Sequence, residues 1–244
     1  MKMEEKNTNS HPRLLLIDGY NLMHSFKELF VEYRSKDDLR MNAMVLVPLI
    51  RDLHQHGYRV RIVIKGMLVS ERFVANCYIL RELERMNLLL FPEDDEKESD
   101  DILMLSLAEQ YGALIISNDA FANHQEYKRI AERNTIKYSR ICNNNFKIET
   151  LEKELAFQYL ISFEGVGDRF YCCKDDPDYE KVTLSYDIFR PLSQTTQKHL
   201  DLLHVYIYAE LCSLLGVPRP TEIGFLKEDE TLPRFHEFKS RMFI

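Results

Sequence analysis

Apolar positions along the first 140 residues alternate between two periods, one suited to strands and one to helices. Residues 13–18 form a short, nearly continuous apolar run that ends at Asp18-Gly19. Such a run suits a strand buried on both faces. Asn21 to about Tyr33 opens a helix. Leu39, Met41, Val45, Leu49 and Leu53, at mixed spacings, predict an amphipathic helix over 38–56, closed by Gly57. Pro48 marks a start or a kink there, because an interior proline costs about 3 kcal/mol. From Tyr58 to Ile64, Val60, Ile62 and Ile64 alternate with Arg59, Arg61 and Val63, the pattern of a strand.

A helix over 70–86 follows, with Phe73, Cys77, Leu80 and Leu83 on one side. Leu88 to Phe91 is a short strand broken by Pro92. Ser99 is the expected N-cap of a helix running through Gln110 and ended by Tyr111-Gly112. Ala113 to Ser117 makes a fourth strand, 124–133 a helix, and Ile136 to Ile141 a fifth strand. Farther on the pattern predicts strands at 170–173 and 182–188, separated by the polar turn Lys174–Asp178. A strongly apolar helix over 195–215 should be buried or docked, and the last 25 residues read as irregular.

Strand and helix in alternation argue an α/β fold, a central parallel sheet flanked by helices on both faces with right-handed crossovers. Three segments are expected. Residues 1–11 form a flexible arm, 12–160 the α/β domain, and 161–244 an accessory region docked on the core or binding a partner.

Composition narrows the function. The net charge of −7 argues against a protein that coats nucleic acid through general basicity. The 5 cysteines show no CxxC pair, and the 8 histidines no zinc spacing. A reducing compartment follows, the cytoplasm first, with RNA granules or the nucleus as alternatives. No run approaches the roughly 20 apolar residues of a membrane span, and residues 1–11 lack the apolar core of a signal peptide.

The informative chemistry lies at the strand ends. Two apolar runs finish on acids, at Asp18 and at Ser117-Asn118-Asp119. Between them six of the eight residues from Asp94 to Asp101 are acidic, and the last two open a helix. In a parallel sheet the strand C-terminal ends gather where ligands bind. Carboxylates collected there repel one another unless a cation joins them. Mg²⁺ or Mn²⁺, which prefer oxygen ligands, are the expected cations, and metal-assisted chemistry on phosphates is the expected activity.

Ile17-Asp18-Gly19-Tyr20-Asn21, Ile79–Glu84, Ser99-Asp100-Asp101 and Ser117-Asn118-Asp119, in this order, resemble the NYN branch of the PIN-like ribonucleases, and most of all the Regnase type. The resemblance spans about 12–150. It implies a three-layer NYN domain and a metal-dependent endoribonuclease that hydrolyses single-stranded or stem-loop RNA, in messenger or small-RNA turnover. By the same resemblance Asp18, Asp101 and Asp119 are metal ligands. Asn21 holds a metal-bound water or the phosphate, and Asp100 completes the catalytic group. Lys65, just past the second strand, together with Arg72, Arg81, Arg85 and Arg40, are the candidate phosphate contacts, which position RNA without reading its sequence. Lys128 and Arg129 are weaker candidates.

Two departures bear on activity. Where the Regnase pattern has a further aspartate four residues beyond Asp119, this chain has Asn123, which accepts a hydrogen bond but carries no charge. The family's CCCH zinc finger is also missing from the sequence, so RNA targeting would fall to basic side chains or to a protein partner. Self-association through the nuclease domain is expected by analogy alone. A catalytically weakened nuclease fold acting through protein contacts is the alternative function, and a DNA-directed PIN nuclease a further one.

Overall fold

The computed structural model describes residues 10–27, 40–140, 161–163 and 167–215. Expectations for residues 1–9, 28–33, 141 and the last 25 residues lie outside these. In chain order the elements begin with β1 (Ser10–Pro12), β2 (Leu14–Asp18), α1 (Gly19–Ser25), β3 (Met41–Asn42), α2 (Leu46–Gln55) and β4 (Arg59–Val63). Next come β5 (Val74–Ala75), α3 (Tyr78–Arg85), β6 (Leu89–Leu90), α4 (Ser99–Tyr111), β7 (Leu114–Ile116), α5 (Lys128–Asn134) and β8 (Thr135–Ile136). The rest are β9 (Tyr138–Arg140), β10 (Ile161–Phe163), β11 (Tyr171–Cys173), α6 (Tyr179–Ile188) and α7 (Gln194–Leu215).

The core is a five-stranded sheet in the order β6-β4-β2-β7-β8. Every neighbouring pair in it is parallel. Leu14, Leu15, Leu16 and Ile17 of the central strand are all 0% exposed, because both faces are covered. The two-residue alternation of a strand sorts them. Leu15 and Ile17 pack with α1, α2, α3 and α7 on one side. Leu14 and Leu16 pack with α4 and α5 on the other. The result is the expected α/β arrangement in three layers.

Several local expectations need correction. Ser10 and His11, expected in a frayed arm, belong to β1, which pairs antiparallel with β11. The segment 182–188, read as a strand, is the greater part of α6. Its buried positions are Val182 and Ser185, continued by Phe189 just past its end, spaced three and four apart, while Leu184 and Ile188 stand exposed. The helical stripe was hidden because one of its members is a serine and two exposed positions are apolar. The helix predicted over 70–86 begins only at Tyr78; Val74 and Ala75 pair with β3. Likewise α2 starts at Leu46, so Pro48 lies in its first turn, where it displaces no helical hydrogen bond. Ser99 does not cap α4. Glu98 takes the cap position with φ 66, and the Ser99 hydroxyl donates to the carbonyls of Asp94 and Glu96. The strand expected over 136–141 divides into β8 and β9, and β9 pairs with β10.

Buried arginines of β4 tie α6 and the residues just after it to the sheet. Arg59, 1% exposed, lies over the Tyr186 ring. It donates to the Pro12 and Phe189 carbonyls and to Ser185 Oγ. Arg61 donates to the Arg190 carbonyl. On the opposite face α7 docks through Leu200, Leu203 and Ile207 and through an Arg51–Asp201 ion pair of 2.6 Å.

Candidate active site

The strand order reverses beside β2. The chain runs outward from β2 to β4 and β6, then returns through α4 to β7 on the other flank. At such a reversal the loops leave the sheet in opposite directions and open a crevice at the strand C-terminal ends. Asp18 is the last residue of β2, Ser117 directly follows β7, and α4 carries Asp100 and Asp101 in its first turn. The helix dipole favours negative charge there. Gly19 allows the close approach of β2 to β4, since a Cβ at this position would lie 2.8 Å from Ile62 Cγ2 and 3.1 Å from the Val63 carbonyl oxygen.

Asp18 is 5% exposed. Its Oδ1 accepts from the Asn21 backbone N–H at 2.9 Å and its Oδ2 from Ser117 Oγ at 2.7 Å. Burial nonetheless pushes the carboxyl up to about 7, and the charges of Asp101 and Asp100 add to the effect against those two hydrogen bonds. Asp101 is raised to about 6, first by burial, then by Asp100 and Asp119, with His124 opposing. Asp18 thus feels the charges of Asp100 and Asp101, and Asp101 those of Asp100 and Asp119. Ser117 Oγ ties two of them together, since it also accepts from the Asp119 backbone N–H at 3.0 Å. The Asp119 side chain in turn accepts from the Phe121 N–H.

Asn21 faces the same strand ends. Its Oδ1 accepts from the Asn118 N–H at 3.0 Å and from the Tyr138 hydroxyl at 2.8 Å. Asn118 exchanges two further 3.0 Å bonds with the Tyr138 backbone, acting in place of a strand neighbour.

Of the predicted phosphate contacts, Lys65 reaches the acids, with Nζ 3.4 Å from Asp100 Oδ1. Arg85 instead pairs with Glu82. Arg72 lies against the Phe73 ring, and Arg40 donates to the Glu71 carbonyl. Arg81 is exposed on α3, and Lys128 and Arg129 are exposed on α5. Asn123 is exposed, and its Nδ2 donates to Glu98 Oε1 at 3.1 Å. The Ile79–Glu84 stretch is structural on its inner side: Ile79, Leu80 and Leu83 are buried, and Glu82 meets His199 of α7 at 3.1 Å.

Sequence reasoning assigned no role to four neighbours. Ser117 was visible within its motif, and only its hydroxyl geometry was hidden. Lys137 donates to the Asp119 carbonyl. Burial lowers its pKa, while the charges of Asp119 and Asp18 oppose the shift. Tyr138 holds Asn21. His124 is buried, with Nε2 3.6 Å from Asp101 Oδ2. No spacing rule links these last three to Asp18, because they arrive from the segment after β7 and from β9.

The donor set fits a hard divalent cation. It is built of carboxylate oxygens, and its central member carries a charge that burial disfavours unless a cation meets it. Among the described residues no three His, Cys, Asp or Glu side chains form a group that could hold a metal ion by themselves. Mg²⁺ needs no such group, since it keeps several waters and takes one or two carboxylates. Lys65 and Lys137 supply two ammonium groups against four carboxyl groups, so the crevice stays negative when all are ionised.

A search among curated proteins gives no match. The Zc3h12a-like ribonuclease NYN domain matches residues 11–182, which include every residue of the acidic crevice and extend through β11 into α6. With that match over most of the chain and a parallel sheet that carries the acids at its switch point, the protein belongs to the family of Zc3h12a-like ribonuclease NYN domains.

Proposed function

We propose that the chain is a Mg²⁺- or Mn²⁺-dependent endoribonuclease that hydrolyses phosphodiester bonds in single-stranded or stem-loop RNA. The observation that carries this reading is the buried Asp18 carboxyl, joined through Ser117 to the Asp119 loop and electrostatically to Asp100 and Asp101. Asp18, Asp101 and Asp119 would hold the ion, directly or through its waters. When bound, a divalent ion polarises a phosphoryl oxygen and makes hydroxide available near neutral pH.

The chain's own groups do the rest. The Asn21 and Ser117 bonds keep Asp18 in one orientation. Asp100, fixed at the helix start, is a candidate proton acceptor near the attacking water. Lys65, whose Nζ lies 3.4 Å from Asp100 Oδ1, would exchange that contact for a substrate phosphate. A partner protein could supply RNA targeting, and the cytoplasm is the expected site of action.

Labelled single-stranded RNA, incubated with the full chain and Mg²⁺ or Mn²⁺, tests the proposal. Cleavage should vanish with EDTA and with Asp18→Asn, and a DNA oligonucleotide of the same sequence should be cut far more slowly. Cleavage that survives both treatments rules the proposal out. Asn123 favours a second reading, a nuclease fold of reduced activity that works through protein contacts. Robust turnover at low enzyme concentration would exclude it.

A further inference from the structure

His124 is an anomaly in the crevice wall. Its side chain is 6% exposed, and its buried Nε2 has no hydrogen-bond partner. Leaving such an atom unpaired costs folding free energy. The groups that face this nitrogen are both carboxylates, Asp101 Oδ2 at 3.6 Å and Glu98 Oε2 at 3.8 Å. The other ring nitrogen lies 4.0 Å from Glu126 Oε1. The first two distances are slightly too long for a direct bond and short enough to close when a ligand draws the carboxylates together.

The backbone commits residues to this arrangement. Phe121 has φ 51 and Glu98 has φ 66, a left-handed conformation that non-glycine residues seldom adopt. The first folds the loop after Asp119 back over α4, and the His124 N–H donates to the Phe121 carbonyl to close that turn. The second turns Glu98 at the N-terminus of α4. There Glu98 Oε1 accepts from Asn123 Nδ2 and lies 3.3 Å from the exposed Lys97 ammonium.

Resting on the proposed function, we infer that His124 and Glu98 are positioning residues of the ion site. The imidazole spans from Glu98 to Asp101 and fixes the Asp101 carboxylate. Glu98 supplies, from the helix side, the negative charge that Asn123 does not supply from the loop side. The site would then carry its outer acid at position 98 rather than 123, within reach of the same histidine.

The test is Mn²⁺ titration of the full chain, followed by electron paramagnetic resonance of the free ion, with RNA cleavage measured in parallel. Glu98→Gln and His124→Leu should each weaken Mn²⁺ binding about tenfold, the lower end for loss of an outer partner of a metal ligand. His124→Gln, which keeps an N–H in similar reach, should recover most of the loss. Glu98→Gln combined with Asn123→Asp should also recover, because it moves the carboxylate across the Glu98–Asn123 contact. Melting curves in EDTA read the fold separately, and if His124→Leu does not fold, Glu98→Gln carries the test. Wild-type Mn²⁺ affinity in Glu98→Gln and His124→Leu, with loss in Asp18→Asn, would overturn this inference and leave the proposed function standing. Wild-type affinity in Asp18→Asn would remove both. Failure of the exchanged pair to recover would overturn the role given to Glu98.

Discussion

Asp18→Asn should make the ion-free protein more stable at alkaline pH. The carboxyl ionises near 3.8 in an unfolded chain and at about 7 in the folded one. A raised carboxyl contributes its stability below the unfolded value and loses it as pH rises through the folded value. Between about pH 4 and 7 the unfolded state has released a proton that the native state keeps. Wild-type stability in EDTA therefore falls by about 1.4 kcal/mol per pH unit from this group, to a total of about 4 kcal/mol above pH 7. Asparagine carries no charge, so that loss disappears. Its side-chain oxygen can still accept from the Asn21 backbone N–H, but its NH₂ must donate to a Ser117 oxygen that already accepts from Asp119. A misplaced hydrogen bond of this kind costs about 1 kcal/mol. The net expectation is a gain of about 2–3 kcal/mol at pH 8 and none at pH 5. For a chain of this size that is a rise in Tm of about 4–12 °C. Scanning calorimetry of both proteins in EDTA at pH 5 and pH 8 measures it. Adding Mn²⁺ should reverse the ranking, because the ion stabilises the species that binds it. An Asp18→Asn protein that is no more stable than wild type at pH 8, or equally stabilised at both pH values, would refute the electrostatic reasoning.

Three further outcomes follow from the fold. Gly19→Ala would drive a methyl group against Ile62 and the Val63 carbonyl; it should cost about 1–3 kcal/mol by urea denaturation and weaken Mn²⁺ binding by displacing Asp18. Arg59→Ala would remove the cation that ties the Pro12 carbonyl, Ser185 and Phe189 together; a loss of about 3 kcal/mol is expected in the same assay, and faster proteolysis of α6. Glu82→Ala would remove the Glu82–His199 contact and loosen α3 from α7, at about 1–3 kcal/mol near neutral pH. Burial raises the Glu82 carboxyl, but the His199 bond and the Arg85 charge outweigh it and hold it below 4.5. The wild-type advantage over Glu82→Ala should accordingly shrink as pH falls below 4.5.

The sequence alone determined the repeating strand–helix plan and the acids at the ends of β2, β7 and the start of α4. These are local properties. A run such as Leu14–Ile17 can be satisfied only by burial on both faces, and an apolar strand that stops at an aspartate marks where the chain leaves the core. It also set the family, because short motifs in a fixed order survive without any knowledge of their spacing in three dimensions. Tertiary structure alone decided which side chains complete the crevice. Lys137, Tyr138 and His124 enter it because β8 lies beside β7 and because the left-handed turn at Phe121 folds the loop back, events that involve residues distant in the chain. The same holds for α6. Its serine at position 185 reads as a surface residue until Arg59, more than a hundred positions earlier, comes to donate to it. Periodicity records which face of an element is apolar. It does not record which buried polar group another element will bring to meet a polar residue, and in this protein such polar meetings build the site.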